Sequence, residues 1–338
     1  MKLKPKLLKA QIHLTNRCNL LCKFCDIPRI FSKSKDLSDK KWLQIMNELV
    51  KFKLDFLTIS GGGEPTLRFN LLLKILKIAN ENGIKTGVIT NGTRVNKKIA
   101  RKIIESEPTE WRTSICSPDP KVDGFLRGKD LTIQTFEGIK YLAEWKKRLN
   151  KVLPELSIWM LQTKYNISHI EKMIRKCANI GANSLCLRMV NPPGCWLYPT
   201  RKQLEKLVNN LKKYRSLAHK KGIILRIFFH PREIFPPEKR KNNSHSLQKS
   251  LQKICLIAFH ELVIFADGRV APCCNFIKHD ESSEAIENVR KKSLMEIWKG
   301  KKFTQFRKRL LKGDLPDRCK ECTPDFKAVN RHYKRKGI

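Results

Sequence analysis

A chain of 338 residues with 41% apolar composition can bury a large core, and it suits one sizeable α/β domain with a smaller appendage. No apolar run reaches the ~18 residues of a membrane span, and the opening MKLKPKLLKAQIHL lacks the apolar stretch and cleavage site of an export signal. A soluble cytoplasmic protein without a membrane partner is therefore expected, and its 12 cysteines read as metal ligands or thiols rather than a secreted disulfide scaffold.

Lys and Arg number 70 against 31 Asp and Glu, a formal charge of +39. Such a surface attracts polyanions in a salt-dependent way. The competing explanation is a lysine-rich, AT-biased genome, because the charge is spread along the whole chain. The helix from about Arg201 and the tail NRHYKRKGI are basic, but no arginine block or aromatic ladder stands out.

In chain order, short apolar strands at 11–14, 56–60, 85–90, 111–116, 156–162 and 184–189 alternate with amphipathic helices. In the first helix Ser38 is the expected N-cap, and Trp42, Ile45, Met46 and Leu49 fall on one face. Further helices are expected over 69–82, 97–105, 133–148 and 167–180, with Gly83 and Gly181 where a helix end wants a left-handed residue. Six strands alternating with helices imply parallel βαβ units, in an open sheet or a barrel-like array, with chemistry at the C-terminal strand ends.

A helix over 201–220 and a strand over 223–229 follow, and then the polar, charged stretch 236–254 reads as a linker. Beyond it, LVIFADGRVAP reads as a hairpin with a tight two-residue turn at Asp267-Gly268, and two short helices precede Cys319. The expected division is therefore a core over 1–235, a linker over 236–254 and a small unit over 255–338.

The segment NRCNLLCKFC places Cys18, Cys22 and Cys25 as C-x3-C-x2-C directly after the first strand. Three thiolates in one loop can bind three irons of a four-iron cluster and leave the fourth iron open, as a catalytic metal site requires. A zinc site lacking one ligand, or three buried thiols, are the alternatives. This spacing, its position, and Phe24 before the last cysteine resemble the radical S-adenosylmethionine (SAM) superfamily. The glycine-rich SGGGEP over 60–65, after the second strand, is the second motif in the expected order.

The resemblance implies that Gly62, Gly63 and Glu64 receive the methionine amino group, the glycines letting backbone approach the cofactor. It extends to Asn91 in Thr90-Asn91-Gly92 at the third strand's end, and to Ser114 and Arg127, which match positions contacting the cofactor's ribose and carboxylate. An ordinary strand serine and a surface arginine are the alternatives there. Many relatives have aspartate two residues after that serine, where this chain has Cys116.

Near the C-terminus Cys255, Gly268 and Cys273 fit C-x12-G-x4-C, and Cys319 and Cys322 add C-x2-C, which makes four ligands for a closed cluster. The pattern resembles the SPASM group in its shortened, single-cluster twitch form. Cys274 competes with Cys273 as ligand, and a four-cysteine zinc site is the alternative metal reading. Cys177 and Cys186 read as buried small hydrophobes, while Cys116 and Cys195 lie near strand ends where a thiol can donate hydrogen to a substrate radical.

The resemblance thus implies a partial (β/α)6 TIM-like barrel with a small C-terminal twitch/SPASM-type cluster domain, two 4Fe-4S clusters, SAM, and an external one-electron reductant such as flavodoxin or ferredoxin. It implies cleavage of SAM to a 5'-deoxyadenosyl radical that takes hydrogen from a substrate. With 17 residues ahead of Cys18, no fused leader-peptide recognition domain is expected. A peptide or protein substrate is favoured, with RNA or a small molecule as alternatives. The reading from another class is a nonenzymatic nucleic-acid-binding protein held together by zinc, which gives SGGGEP no role.

Overall fold

The computed structural model describes residues 4–27, 34–60, 62–191, 194–229, 255–273, 276, 286–316 and 319. The expected linker, Cys274 and Cys322 lie outside the described residues. No helix among those described is long and apolar enough to cross a membrane.

Strands β1 (Lys9–Ile12), β2 (Phe56–Ile59), β3 (Lys85–Thr90), β4 (Glu110–Ser114), β5 (Glu155–Gln162), β6 (Ser184–Met189) and β7 (Ile224–Ile227) pair in parallel, each with the next. Helices α1 (Asp39–Lys51), α2 (Phe69–Glu81), α3 (Lys97–Glu105), α4 (Pro120–Arg127), α5 (Thr132–Arg148), α6 (Ile170–Asn179) and α7 (Arg201–Lys220) lie between them. This is the expected α/β partial barrel. Its first strand ends two residues earlier than expected, so the segment leading to the cysteines belongs to the loop above the sheet.

Local chemistry sets the element ends. Ser38 Oγ accepts from Lys41 N at 3.2 Å, and Trp42, Ile45, Met46 and Leu49 are fully buried on the inner face of α1. Helix α4 was not expected, because eight residues show too little periodicity to register. Its punctuation is nonetheless complete: Asp119 Oδ1 accepts from Lys121 N (2.9 Å) and Val122 N (3.3 Å), Pro120 opens it, and Gly128 ends it at φ +77°. A Cβ on Gly128 would lie 2.6 Å from Leu21 O, so only glycine lets this helix end close against the cysteine loop. Lys23 N donates to Leu126 O (2.9 Å) across the same contact.

The C-terminal segment continues the sheet of the barrel. Helix α8 (Ile257–His260) leads into β8 (Glu261–Ile264), which pairs in parallel with β1; β9 (Arg269–Ala271) and β10 (Glu287–Asn288) follow antiparallel. Among the described residues ten strands make one sheet, in the order β10-β9-β8-β1-β2-β3-β4-β5-β6-β7. Without β8 the partial barrel would expose the polar edge of β1, so the hairpin satisfies that edge. Its connection is longer than expected: Phe265 N donates to Arg269 O (2.8 Å), and Ala266, Asp267 and Gly268 span the turn.

Helices α9 (Leu294–Lys299) and α10 (Lys301–Lys312) join the same core through Leu294, Ile297, Trp298, Phe303 and Leu310. Buried Arg307 clamps them: its Nε donates to Ala258 O (2.9 Å), one Nη to Trp298 O (2.8 Å), and its guanidinium lies 3.9 Å from the Trp298 ring centroid.

Candidate active site

The cysteine loop leaves β1 and is pinned at its start. Asp36 accepts from the Thr15 hydroxyl at 2.5 Å and from Asn16 N at 3.1 Å, and Arg17 N donates to Thr15 Oγ1 (3.0 Å). The loop after β2 then docks on it by backbone, Gly63 N to Thr15 O (2.7 Å) and Glu64 N to Arg17 O (2.8 Å). A Cβ on Gly63 would fall 1.7 Å from Arg17 O. This backbone contact alone requires glycine at 63, a reason additional to the cofactor approach expected from the sequence. Gly62 lies in the left-handed region beside it, and Gly61 is outside the described residues.

Glu64, 2% exposed, turns its carboxylate into a nest of neutral donors. One oxygen accepts from Thr66 N (3.0 Å), Thr66 Oγ1 (2.6 Å) and Thr90 Oγ1 (2.7 Å), and the other from Asn91 N (2.7 Å). Among the described residues it forms no ion pair. Asn91 continues the network through Nδ2, which donates to Asn19 Oδ1 at 2.9 Å and sits 3.8 Å from Cys18 Sγ. Its carbonyl accepts from an Arg127 Nη at 2.6 Å.

Arg127 is not a surface arginine. It is 2% exposed and donates to Asp123 Oδ2 (3.1 Å) one turn earlier on α4, as well as to Thr135 Oγ1 (3.4 Å). Asp123 is fully buried and accepts further from Cys116 N (2.8 Å), Ser117 N (3.2 Å) and Thr132 Oγ1 (2.8 Å). Sequence reading missed Asp123, although its i,i+4 spacing to Arg127 was visible.

The structure thus brings Cys18, Glu64, Asn91 and Arg127 into one connected group. Cys22 faces Arg127, Cys25 and Cys18, and burial pushes its thiol up to about 12, a rise that the Arg127 charge opposes. Burial also raises Cys18, although a backbone bond at Leu20 and the Asn91 amide favour its thiolate. Phe24 packs against the apolar cluster containing Cys116, and Ser114 ends β4, half-buried, beside Trp159 on β5. Cys116 is buried, its thiol raised by burial, and its carbonyl accepts from Asn166 Nδ2 (2.6 Å); Cys195 is half-buried. Cys177 and Cys186 are buried, as expected of small hydrophobes.

In the C-terminal region Cys255 precedes α8, Cys273 follows β9, and Cys319 packs on the core shared with the barrel. All three are half-buried, and none of the ten described cysteines is in a disulfide.

The donor set suits iron-sulfur ligation. One loop carries three thiols, Cys22 interacting with both Cys18 and Cys25 and with the Arg127 guanidinium, and the Glu64 carboxylate, which forms no ion pair among the described residues, acts on Cys18. No three His, Cys, Asp or Glu among the described residues converge on a single ion. Ligands of a four-iron cluster each bind a different iron, so convergence on one point is not what that group asks for.

The profile of the Radical SAM superfamily matches residues 12–177, and that of the SPASM iron-sulfur cluster-binding domain matches 255–323, together more than two thirds of the chain. The chain belongs to the radical SAM superfamily. This membership makes it an enzyme, with SAM and 4Fe-4S clusters as cofactors, and removes the nonenzymatic zinc reading.

A tungsten-containing aldehyde ferredoxin oxidoreductase cofactor-modifying protein of Pyrococcus furiosus is 22% identical over 331 residues, covering 92% of this chain and 86% of that protein. A mycofactocin maturase of Mycolicibacterium smegmatis is 25% identical over 203 residues, 57% of this chain and 49% of that protein. Among solved structures, Streptococcus suis SuiB bound to SAM matches with TM-score 0.67 at 19% identity, over 89% of this chain. The chain spans 66% of SuiB's length. The structure of anSMEcpe with bound SAM and a peptide matches with TM-score 0.63 at 18% identity, over 94% of this chain and 86% of that one. At these identities the structural likenesses show the fold.

Proposed function

We propose that this radical SAM enzyme modifies a peptide or protein, with Cys18, Cys22 and Cys25 holding the catalytic cluster and Cys255, Cys273, Cys319 and Cys322 the auxiliary one. When bound, the reduced cluster and SAM supply a 5'-deoxyadenosyl radical that takes hydrogen from an unactivated carbon, and the protein's task is to bind, orient and exclude water.

The observation that carries the site assignment is the buried Glu64 carboxylate, held by four neutral donors and positioned by Asn91 beside Cys18. A fixed negative charge that is buried is suited to a cationic amino group such as that of the cofactor's methionine end. Phe24 walls the loop, Ser114 offers a hydroxyl at the end of β4, and Arg127 acts through the Asn91 carbonyl and Asp123 rather than by a free fork of donors.

Peptide as substrate class is supported by relatives. SuiB has been crystallised with its precursor peptide SuiA, and anSMEcpe with a peptide. A second reading, modification of a small cofactor, is supported by the Pyrococcus furiosus protein aligned along 92% of the chain; RNA, the third, rests on the charge of +39. We place the boundary between core and auxiliary unit within 236–254. The electrons come from an external carrier such as flavodoxin or ferredoxin.

The test is deuterium transfer. Reduced enzyme and SAM are incubated separately with deuterated peptide, RNA and small-molecule fractions from cells. Deuterium in 5'-deoxyadenosine from the peptide fraction alone supports the proposal, and label from either of the others alone overturns it.

A further inference from the structure

Large apolar side chains left in water mark a contact surface when several adjoin. Among the described residues, four gather around the cysteine loop: Leu21 (60% exposed), Phe125 (42%), Tyr165 (38%) and Trp196 (56%). They come from the cysteine loop, α4, and the loops after β5 and β6, so only the fold assembles them. Phe125 and Tyr165 meet edge to face with ring centroids 4.9 Å apart, and Tyr165 and Trp196 do so at 6.4 Å. Lys23 Nζ lies 4.6 Å from the Phe125 centroid, and Lys164 Nζ lies 5.2 Å from that of Tyr165 and 5.9 Å from that of Trp196. Leu21 adjoins this row at Gly128, less than one turn beyond Phe125, where a Cβ would reach Leu21 O at 2.6 Å.

We propose that this patch docks the small acidic carrier protein that delivers one electron to the cluster held by Cys18, Cys22 and Cys25. The inference rests on the cluster and carrier named above and adds the surface on which the carrier sits. The transfer moves one electron and no proton: the carrier is oxidised and the cluster is reduced, with no bond made or broken.

Position selects this partner. Leu21 and Lys23 flank Cys22 in the chain, so a protein seated on them is one cysteine away from the cluster, and electron transfer slows steeply with distance. Helix α4 separates the two sides: Asp123, Leu126 and Arg127 are buried toward the site, while Phe125 faces solvent. A patch of four side chains suits electron-transfer encounters, which bury less than about 1,200 Å2 in total.

Charge selects it as well. Neither Lys23 nor Lys164 forms an ion pair among the described residues. With them, the other solvent-facing charges of these segments, Lys121 and Lys129 against Asp26, Asp119 and Asp130, leave a small positive excess. The chain's formal charge of +39 draws an acidic partner from a distance and repels a second copy of itself.

The experiment uses cluster-loaded protein with SAM and, as probe, an acidic plant-type ferredoxin, with binding of the oxidised ferredoxin measured by interferometry at low salt. Formation of 5'-deoxyadenosine driven by dithionite, which needs no docking, is followed in parallel. Phe125→Asp and Trp196→Asp should each weaken ferredoxin binding about tenfold or more, the scale of losing an aromatic anchor. Both should leave the dithionite-driven reaction unchanged. Val152→Asp, 85% exposed ahead of β5 at the other end of the barrel, should bind ferredoxin as the unaltered protein does. Unchanged ferredoxin binding in both patch variants overturns the proposal. So does an equal loss in Val152→Asp, since overall charge then reads the carrier. Loss of the dithionite-driven reaction in step with binding also overturns it, because the patch then shapes the SAM site. So does a single-stranded RNA whose binding falls in the two variants while that of ferredoxin does not, since the rings then stack bases. Binding is read without turnover, so a failure here is separable from failure of the cluster reading, which shows as no 5'-deoxyadenosine with dithionite in the unaltered protein.

Discussion

Replacing Arg127 by Met separates a buried positioning arginine from a surface one. Its side chain is 3% exposed and that of its partner Asp123 is fully buried. The substitution strips the carboxylate of its one cationic partner among the described residues while three neutral donors remain, and it takes the 2.6 Å donor from the Asn91 carbonyl. An uncompensated buried charge costs about 3–5 kcal/mol. The orphaned carbonyl adds about 1 kcal/mol or more, with incomplete additivity because the two losses share one side chain. We expect about 4 kcal/mol, read as a lower guanidinium midpoint for the metal-free protein at pH 7. The double variant Asp123→Asn/Arg127→Met should recover part of this, since a carboxamide oxygen still accepts from Cys116 N and Ser117 N. A cost below about 1 kcal/mol for Arg127→Met, the value for an exposed position, would refute the reasoning, as would a double variant no more stable than the single.

Glu64→Gln keeps the size of the group but removes its charge and turns an NH2 either against the Asn91 N–H or against the donors of Thr66 and Thr90; SAM affinity by equilibrium dialysis should fall about ten- to hundredfold. Gly63→Ala forces a methyl group into Arg17 O, so iron content after reconstitution should collapse, and an unaltered iron count would contradict the close backbone docking. Hydrogen bonds from Arg226 hold the Glu155 carboxyl below its ordinary value, helped by the Ser184 hydroxyl. That contribution is complete above the unfolded value of about 4.3 and is lost as pH falls through the lower folded value. The melting-temperature gap between the unaltered protein and Glu155→Gln should therefore narrow on acidification from pH 6, with a size of about 1 kcal/mol for this part-exposed pair; a widening gap would contradict the assignment.

Features made by consecutive residues were legible in the sequence. Strand and helix alternation gave parallel βαβ units that the family resemblance narrowed to a partial barrel, the cysteine spacing and SGGGEP carried that resemblance, and Ser38 with Trp42, Ile45, Met46 and Leu49 defined α1. Features made by distant residues were not. The pairing of β8 with β1 joins residues some 250 apart, and nothing local in LVIFADGRVAP says which edge it will cover. The packing of Arg188 over the Trp159 and Phe228 rings depends on the register of β5, β6 and the segment after β7, which no single strand's pattern contains. The surface alternative for Arg127 stayed open because helix α4 was too short to show periodicity, although Asp119, Pro120 and Gly128 punctuate it. Gly63 was read as a position of close approach to the cofactor, and its tight contact with Arg17, distant in sequence, could not be read from the motif.

The central claim is that this chain cleaves SAM at a cluster held by Cys18, Cys22 and Cys25. Anaerobic reconstitution, iron and sulfide counting, and assay of 5'-deoxyadenosine on adding dithionite test it most directly. The account predicts about eight iron and eight sulfide per chain, as two four-iron clusters require, with 5'-deoxyadenosine formed by the unaltered protein and lost in Cys22→Ala while the auxiliary iron remains. Zinc without sulfide, or 5'-deoxyadenosine that persists in Cys22→Ala, would contradict it.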